Sequence, residues 1–161
     1  MFFNQKALNR FLMMTMGIFI AIPFFYYFYL SFHSGNLQID VMALLDQEPI
    51  MGVQLISIFS LPYSAFLLYT LKPSINAQTD GKKVYWNFFF LFVAQLLMGH
   101  YLYSGLIIWL LIILQSQYQL KIYELFRDLS GRFFFEEAGG SIVVVVLACL
   151  VRWMLWRLQI V

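Results

Sequence analysis

Val84–Leu120 reads VYWNFFFLFVAQLLMGHYLYSGLIIWLLIILQSQYQL. It is too long and too apolar to be one buried helix of a water-soluble domain. It is also too long for a single membrane span, which takes about 20 residues at about 1.5 Å rise to cross about 30 Å of hydrocarbon. Only Met98-Gly99-His100-Tyr101-Leu102-Tyr103-Ser104-Gly105 interrupts it. Gly, Ser and His suit a turn, and Tyr rings favour the water–lipid boundary. The stretch therefore predicts a membrane helical hairpin with arms 85–98 and 102–115.

The rest of the chain agrees with that solvent. Of its 161 residues 62% are hydrophobic and 11% charged, against roughly 25% charged in an ordinary soluble domain. Mean hydropathy is +0.78. A small water-soluble fold leaves too much surface exposed to hide so many apolar side chains. The apolar runs are continuous, with no alternation of a barrel strand, so the expected fold is all-α. A net charge of +2 gives no electrostatic case for nucleic acid. Cys149 is the only cysteine and lies in an apolar run, which excludes an internal disulfide, a CxxC redox pair and a zinc finger.

Upstream of the hairpin, a first span is expected at 11–32 and a second at 50–71. The first follows the basic residues Lys6 and Arg10; no small-x-small cleavage site follows it, so it reads as a retained anchor. Between them lies a loop without Lys or Arg that carries Asp40, Asp46 and Glu48; Val41, Met42, Leu44 and Leu45 suggest a short surface helix there. Pro49 suits the first turn of the second span, and Pro73 is expected just past its end. Downstream, 118–133 alternates at helical spacing. Ile122, Leu125, Phe126 and Leu129 form one face, and Lys121, Glu124, Arg127, Asp128 and Arg132 fill the other. That predicts an amphipathic helix on the membrane surface, its charged face being the candidate partner-contact surface. Gly139-Gly140 reads as a flexible joint before a fifth span at 140–158. The expectation is one polytopic domain over 1–161 with five hydrophobic helices.

Orientation follows from the basic residues. The N-terminus, the 72–83 loop and the amphipathic helix hold eight of the ten Lys and Arg. The positive-inside rule places them in the cytoplasm. Arg152 and Arg157 then fall near the far surface, against that rule, beside Trp153 and Trp156. The fifth helix is expected to span, with both arginines snorkelling outward.

Candidate sites are few. Pro23 and Pro62 lie mid-span, where a break can expose backbone to an ion; a packing kink is the simpler reading. Gln54 and Gln95 are candidate polar contacts inside the membrane, with Asn87 and Gln115 the other amides near spans. The first four spans carry no Asp, Glu or Lys deep inside, and a coupled pump needs such a group. Glu136-Glu137 invites comparison with membrane-embedded prenyl-type proteases. Here no Arg stands shortly after the pair and no His follows it, so it reads as the polar end of the amphipathic helix. His33 and His100 are expected at the outer surface, on the side of Asp40, Asp46 and Glu48. Such groups can hold a divalent metal, but two unrelated interfacial histidines are the preferred reading.

The sequence thus predicts a non-enzymatic multi-pass membrane protein without a cofactor. Its expected role is accessory, assembly or immunity-type, by contact with another membrane protein or its own copy. The alternative is a component of a transporter or channel; an enzyme using His100 or Glu136 and Glu137 ranks last. The expected setting is a bacterial plasma membrane, with a mitochondrial inner membrane second.

Overall fold

A computed structural model describes residues 5–34, 48–119, 123, 125 and 131–160. The described residues form helices and turns with no strand. The order is α1 (Gln5–Ser34), α2 (Pro49–Ala77), α3 (Gly81–Leu97), α4 (Tyr101–Tyr118), α5 (Gly131–Glu137) and α6 (Gly139–Ile160). Four segments are long and apolar enough to cross a membrane: Gln5–Phe32, Pro49–Ala77, Tyr101–Tyr118 and Gly139–Leu158. The chain has the makings of an all-α membrane protein.

Of the five expected spans, four are long and apolar enough by themselves, and α3 is the one that falls short. It has 17 residues, about 25 Å of helix against about 30 Å of hydrocarbon. It is nonetheless a central helix, packed against α2, α4 and α6. A short helix held among longer ones can be met by local thinning of the bilayer.

The hairpin is tighter than the sequence suggests. Only Met98, Gly99 and His100 separate the two arms, and Leu102–Gly105 are already helical. Gly99 makes the reversal at φ +80, which a side chain would oppose. Both arms also extend beyond their expected outer ends, back to Gly81 and on to Tyr118. Those two ends meet: a Cβ on Gly81 would stand 2.8 Å from Cδ1 of Tyr118.

Pro73 lies inside α2 rather than beyond it. Proline removes one hydrogen bond, and other helices support the carbonyls that follow. Gln5 Nε2 donates to Ile75 O (3.3 Å) and Asn76 O (2.9 Å), and Tyr118 donates to Ser74 O at 2.9 Å. The chain's own backbone closes this last turn, with Gln78 N–H on Ile75 O and Thr79 N–H on Ser74 O, and the donors from α1 and α4 reinforce it. Pro23 and Pro62 are likewise carried within unbroken helices.

These bonds gather the start of α1, the end of α2, the start of α3 and the end of α4 at one end of the bundle. Lys83 joins them to the end of α5, its Nζ 2.7 Å from Glu137 Oε2. The other end holds Tyr26, Gln54, His100 and the C-terminal part of α6. Between the ends the core is apolar: Phe19, Leu61, Leu68, Phe88, Leu91 and Leu110 are all fully buried. α1 is peripheral, resting chiefly on α2, and α6 lies between α2 and α3.

α6 runs alongside α2 for most of its length. Gly140 stands where a Cβ would come within 2.6 Å of Leu67 Cδ2, and Leu158 lies beside Pro49 and Val53. Gly140 is therefore a packing position within a helix, not a flexible joint. The chain breaks two residues earlier, at Ala138. The expected amphipathic helix at 118–133 is redrawn at both ends, because Tyr118 completes α4 and residues 131–133 open α5. Of its apolar stripe, Leu125 is buried, and its carbonyl accepts from Trp86 Nε1 at 3.2 Å. Ile122, Phe126 and Leu129 lie outside the described residues, as does the expected surface helix at 41–45.

Candidate functional site

Two polar clusters interrupt the apolar interior, one near each end. The one nearer the hairpin turn is built on a serine stripe. Ser57, Ser60 and Ser64 recur at helical spacing on α2 and are all buried. Ser64 donates to Ser60 O at 3.0 Å, and Ser60 donates to Ser57 O at 2.6 Å. Across from them stands Gln95 of α3, fully buried. Its Nε2 donates to Ser64 Oγ at 3.2 Å, and its Oε1 lies 2.8 Å from His100 Nδ1. His100 Nε2 faces Ser57 Oγ at 3.3 Å, and the ring meets Tyr103 edge-on at 5.5 Å.

The proton positions follow from counting donors. The single Ser64 proton goes to a helix carbonyl, so its oxygen must accept from the Gln95 amide nitrogen. Gln95 Oε1 then faces His100, so Nδ1 carries the ring proton and Nε2 is the bare nitrogen. Ser57 donates its own proton to Gln54 O at 2.7 Å, a better bond than the 3.3 Å approach to His100. Burial pulls the His100 pKa below its ordinary 6.5 and favours this neutral ring.

Ser57, His100 and Gln95 thus stand in the order nucleophile, base and orienting group. The chemistry of that order is not assembled. The serine proton is committed to a main-chain carbonyl, and Ser57 sits well inside α2, where backbone N–H groups are already used by the helix. The arrangement is a polar clasp that ties the hairpin turn to α2.

The second cluster fixes the start of α6. Asn87 Nδ2 donates to Lys83 O and to Glu137 O, both at 2.8 Å, and Asn87 Oδ1 accepts from Ser141 Oγ at 2.6 Å. One amide therefore joins α3 to both sides of the break at Ala138. The Lys83–Glu137 pair beside it is more than a third exposed and adds little by itself.

Among the residues singled out from sequence, Gln95 and His100 are in direct contact. Gln54 is exposed and joins the same cluster at its edge, its Oε1 3.4 Å from Tyr26 Oη. His33 falls in the last turn of α1, and the described residues hold no group of three or more His, Cys, Asp or Glu able to ligate a metal. Gln115 is half-buried on α4. Lys121, Glu124, Arg127 and Asp128 lie outside the described residues, and Arg132 lies on α5. Sequence reasoning misses the serine stripe and Ser141. The 57–60–64 spacing is readable as one polar face of a span, whereas the meeting of Ser141 with Asn87 has no local signal.

No family model, no curated protein and no solved structure matches the chain.

Proposed function

We propose that the chain is a small multi-pass membrane protein that works by contact with another membrane protein, in an accessory, assembly or immunity-type role. The carrying observation is an aromatic ridge on the peripheral helix α1. Phe24, Phe28 and Phe32 recur every four residues beside Phe25 and Tyr29, and all five are more than half exposed. Lipid chains accept any apolar side chain, whereas a ridge of rings at i, i+4 spacing is suited to the groove of a facing helix. The charged face from Lys121 to Arg132 is the second contact surface in this proposal.

The orientation proposed has the N-terminus in the cytoplasm of a bacterium. Supporting it, the bundle end that gathers Gln5, Gln78 and Gln117 also carries Lys6, Lys82 and Lys83. Reporter fusions after Lys83 should score cytoplasmic and a fusion at Val161 external; the reverse pattern sinks the orientation.

The contact role is tested by placing a photo-cross-linking amino acid at Phe25 or Phe28 in intact membranes. A discrete protein adduct at these positions, absent at the exposed Ile112 of α4, supports the proposal. Lipid adducts alone at all three positions reject it.

The second reading, a transporter or channel component, is favoured by the serine stripe with Gln95 and His100. Against it stand Leu68 and Leu91, fully buried apolar residues one turn from Ser64 and Gln95 on the side away from the hairpin turn. Solute flux in liposomes that hold only this protein would favour it over the contact role.

A further inference from the structure

Arg157 is one of the two arginines that break the charge asymmetry of the chain, and its surroundings give it a use. Its guanidinium carbon lies 5.4 Å from the centre of the Trp153 ring, one turn back on α6. Among the described residues no carboxylate pairs with it. The two side chains stand at the mouth of an apolar groove of about 370 Å³ between α2 and α6, floored by Pro49, Val53 and Ile56. A second groove of about 350 Å³ shares Ile56 with it and is lined further along by Phe59, Tyr63 and Val143. Together they follow α2 from Pro49 to Tyr63. Fourteen residue steps make about 21 Å, more than the about 15 Å of hydrocarbon that belongs to one leaflet.

We infer that this groove binds one acyl chain of an anionic phospholipid, with the headgroup phosphate held by Arg157 over Trp153. The groove walls are almost wholly apolar, which fits a hydrocarbon chain. The single cation at the mouth gives the charge complement, and guanidinium is the side chain best shaped for a phosphate. The indole beneath it holds the guanidinium by cation–π attraction and itself favours headgroup depth. The α6 dipole alone favours a cation in the last turn, but it accounts neither for the indole under the charge nor for the groove beside it. Arg152 is the internal control. It is exposed on the same stretch of α6 but does not line the groove.

The test is native mass spectrometry of the full chain released from nanodiscs of equal phosphatidylglycerol and phosphatidylcholine. The wild type should retain phosphatidylglycerol preferentially. Arg157→Gln should reduce that preference roughly tenfold, the loss of one charge-assisted bond, while Arg152→Gln leaves it within about twofold. Ile56→Trp, which fills the groove at its waist, should reduce retention of both lipids. The Ile56 site also reads out occupancy: with the exposed Cys149 replaced by serine, Ile56→Cys should be labelled by a lipid-soluble maleimide more slowly in phosphatidylglycerol discs than in phosphatidylcholine discs. Equal loss in Arg157→Gln and Arg152→Gln would mean diffuse surface charge and overturn the site. So would retention indifferent to Arg157, or protection of the Ile56 cysteine that tracks protein dimerisation instead of lipid.

Discussion

Gln95→Leu isolates the polar clasp. The substitution keeps the bulk of the side chain and deletes its amide. Two contacts go with it, 3.2 Å to Ser64 and 2.8 Å to His100. Interhelical hydrogen bonds in membrane proteins average about 0.6 kcal/mol and reach about 1.7 kcal/mol, because the unfolded chain in lipid also finds partners. The site is fully buried and the His100 Nδ1 proton would lose its acceptor, so the loss belongs in the upper part of that range. The expected destabilisation is about 1–2 kcal/mol. Reversible unfolding in mixed detergent micelles measures it. A double-mutant cycle with Ser64→Ala should return a coupling of about 0.6 kcal/mol, since the two side chains touch. Leu91→Ala, one turn away in the apolar layer, is the control; it should cost about 2–5 kcal/mol by leaving a cavity. A stable Gln95→Leu protein together with zero coupling to Ser64 would refute the bonding scheme between α2 and α3.

His100 makes stability depend on pH with a defined sign. Its pKa is lowered in the folded state, so the unfolded chain binds more protons just below the ordinary value of 6.5. Stability should be full above that pH and fall as pH drops through it toward the folded pKa; a His100→Asn variant with an unchanged slope would contradict this. Asn87→Leu should free the start of α6 and make backbone amides around Ala138 exchange faster, while amides near Leu110 on α4 stay protected; uniform exchange across α6 would argue against the anchoring role. Gly140→Val should destabilise more than Gly140→Ala, because the 2.6 Å approach is to the mobile end of Leu67, which can yield to one methyl but not to three carbons. Equal effects would place α6 further from α2 than the structure does.

Length and apolarity alone make the helices legible, because in lipid a chain must satisfy its own backbone and only a helix does so within one segment. The same reasoning locates the turn at Gly99 and the entry of α2 at Pro49; it names Gln95 and His100 separately, and their contact is decided by the fold. It fails wherever another helix supplies what the local sequence lacks. Pro73 looks like a helix end, yet the helix runs on to Ala77, and Gln5 and Tyr118 add bonds from helices remote in sequence to the carbonyls beyond it. Gly139-Gly140 looks like a joint, yet Gly140 is small because Leu67 is close. Ser141 carries no pattern of its own and gains its role only because Asn87 arrives beside it. Hydropathy is a property of one segment and survives in the sequence. A hydrogen bond between helices depends on which faces meet, and only the packed bundle decides that.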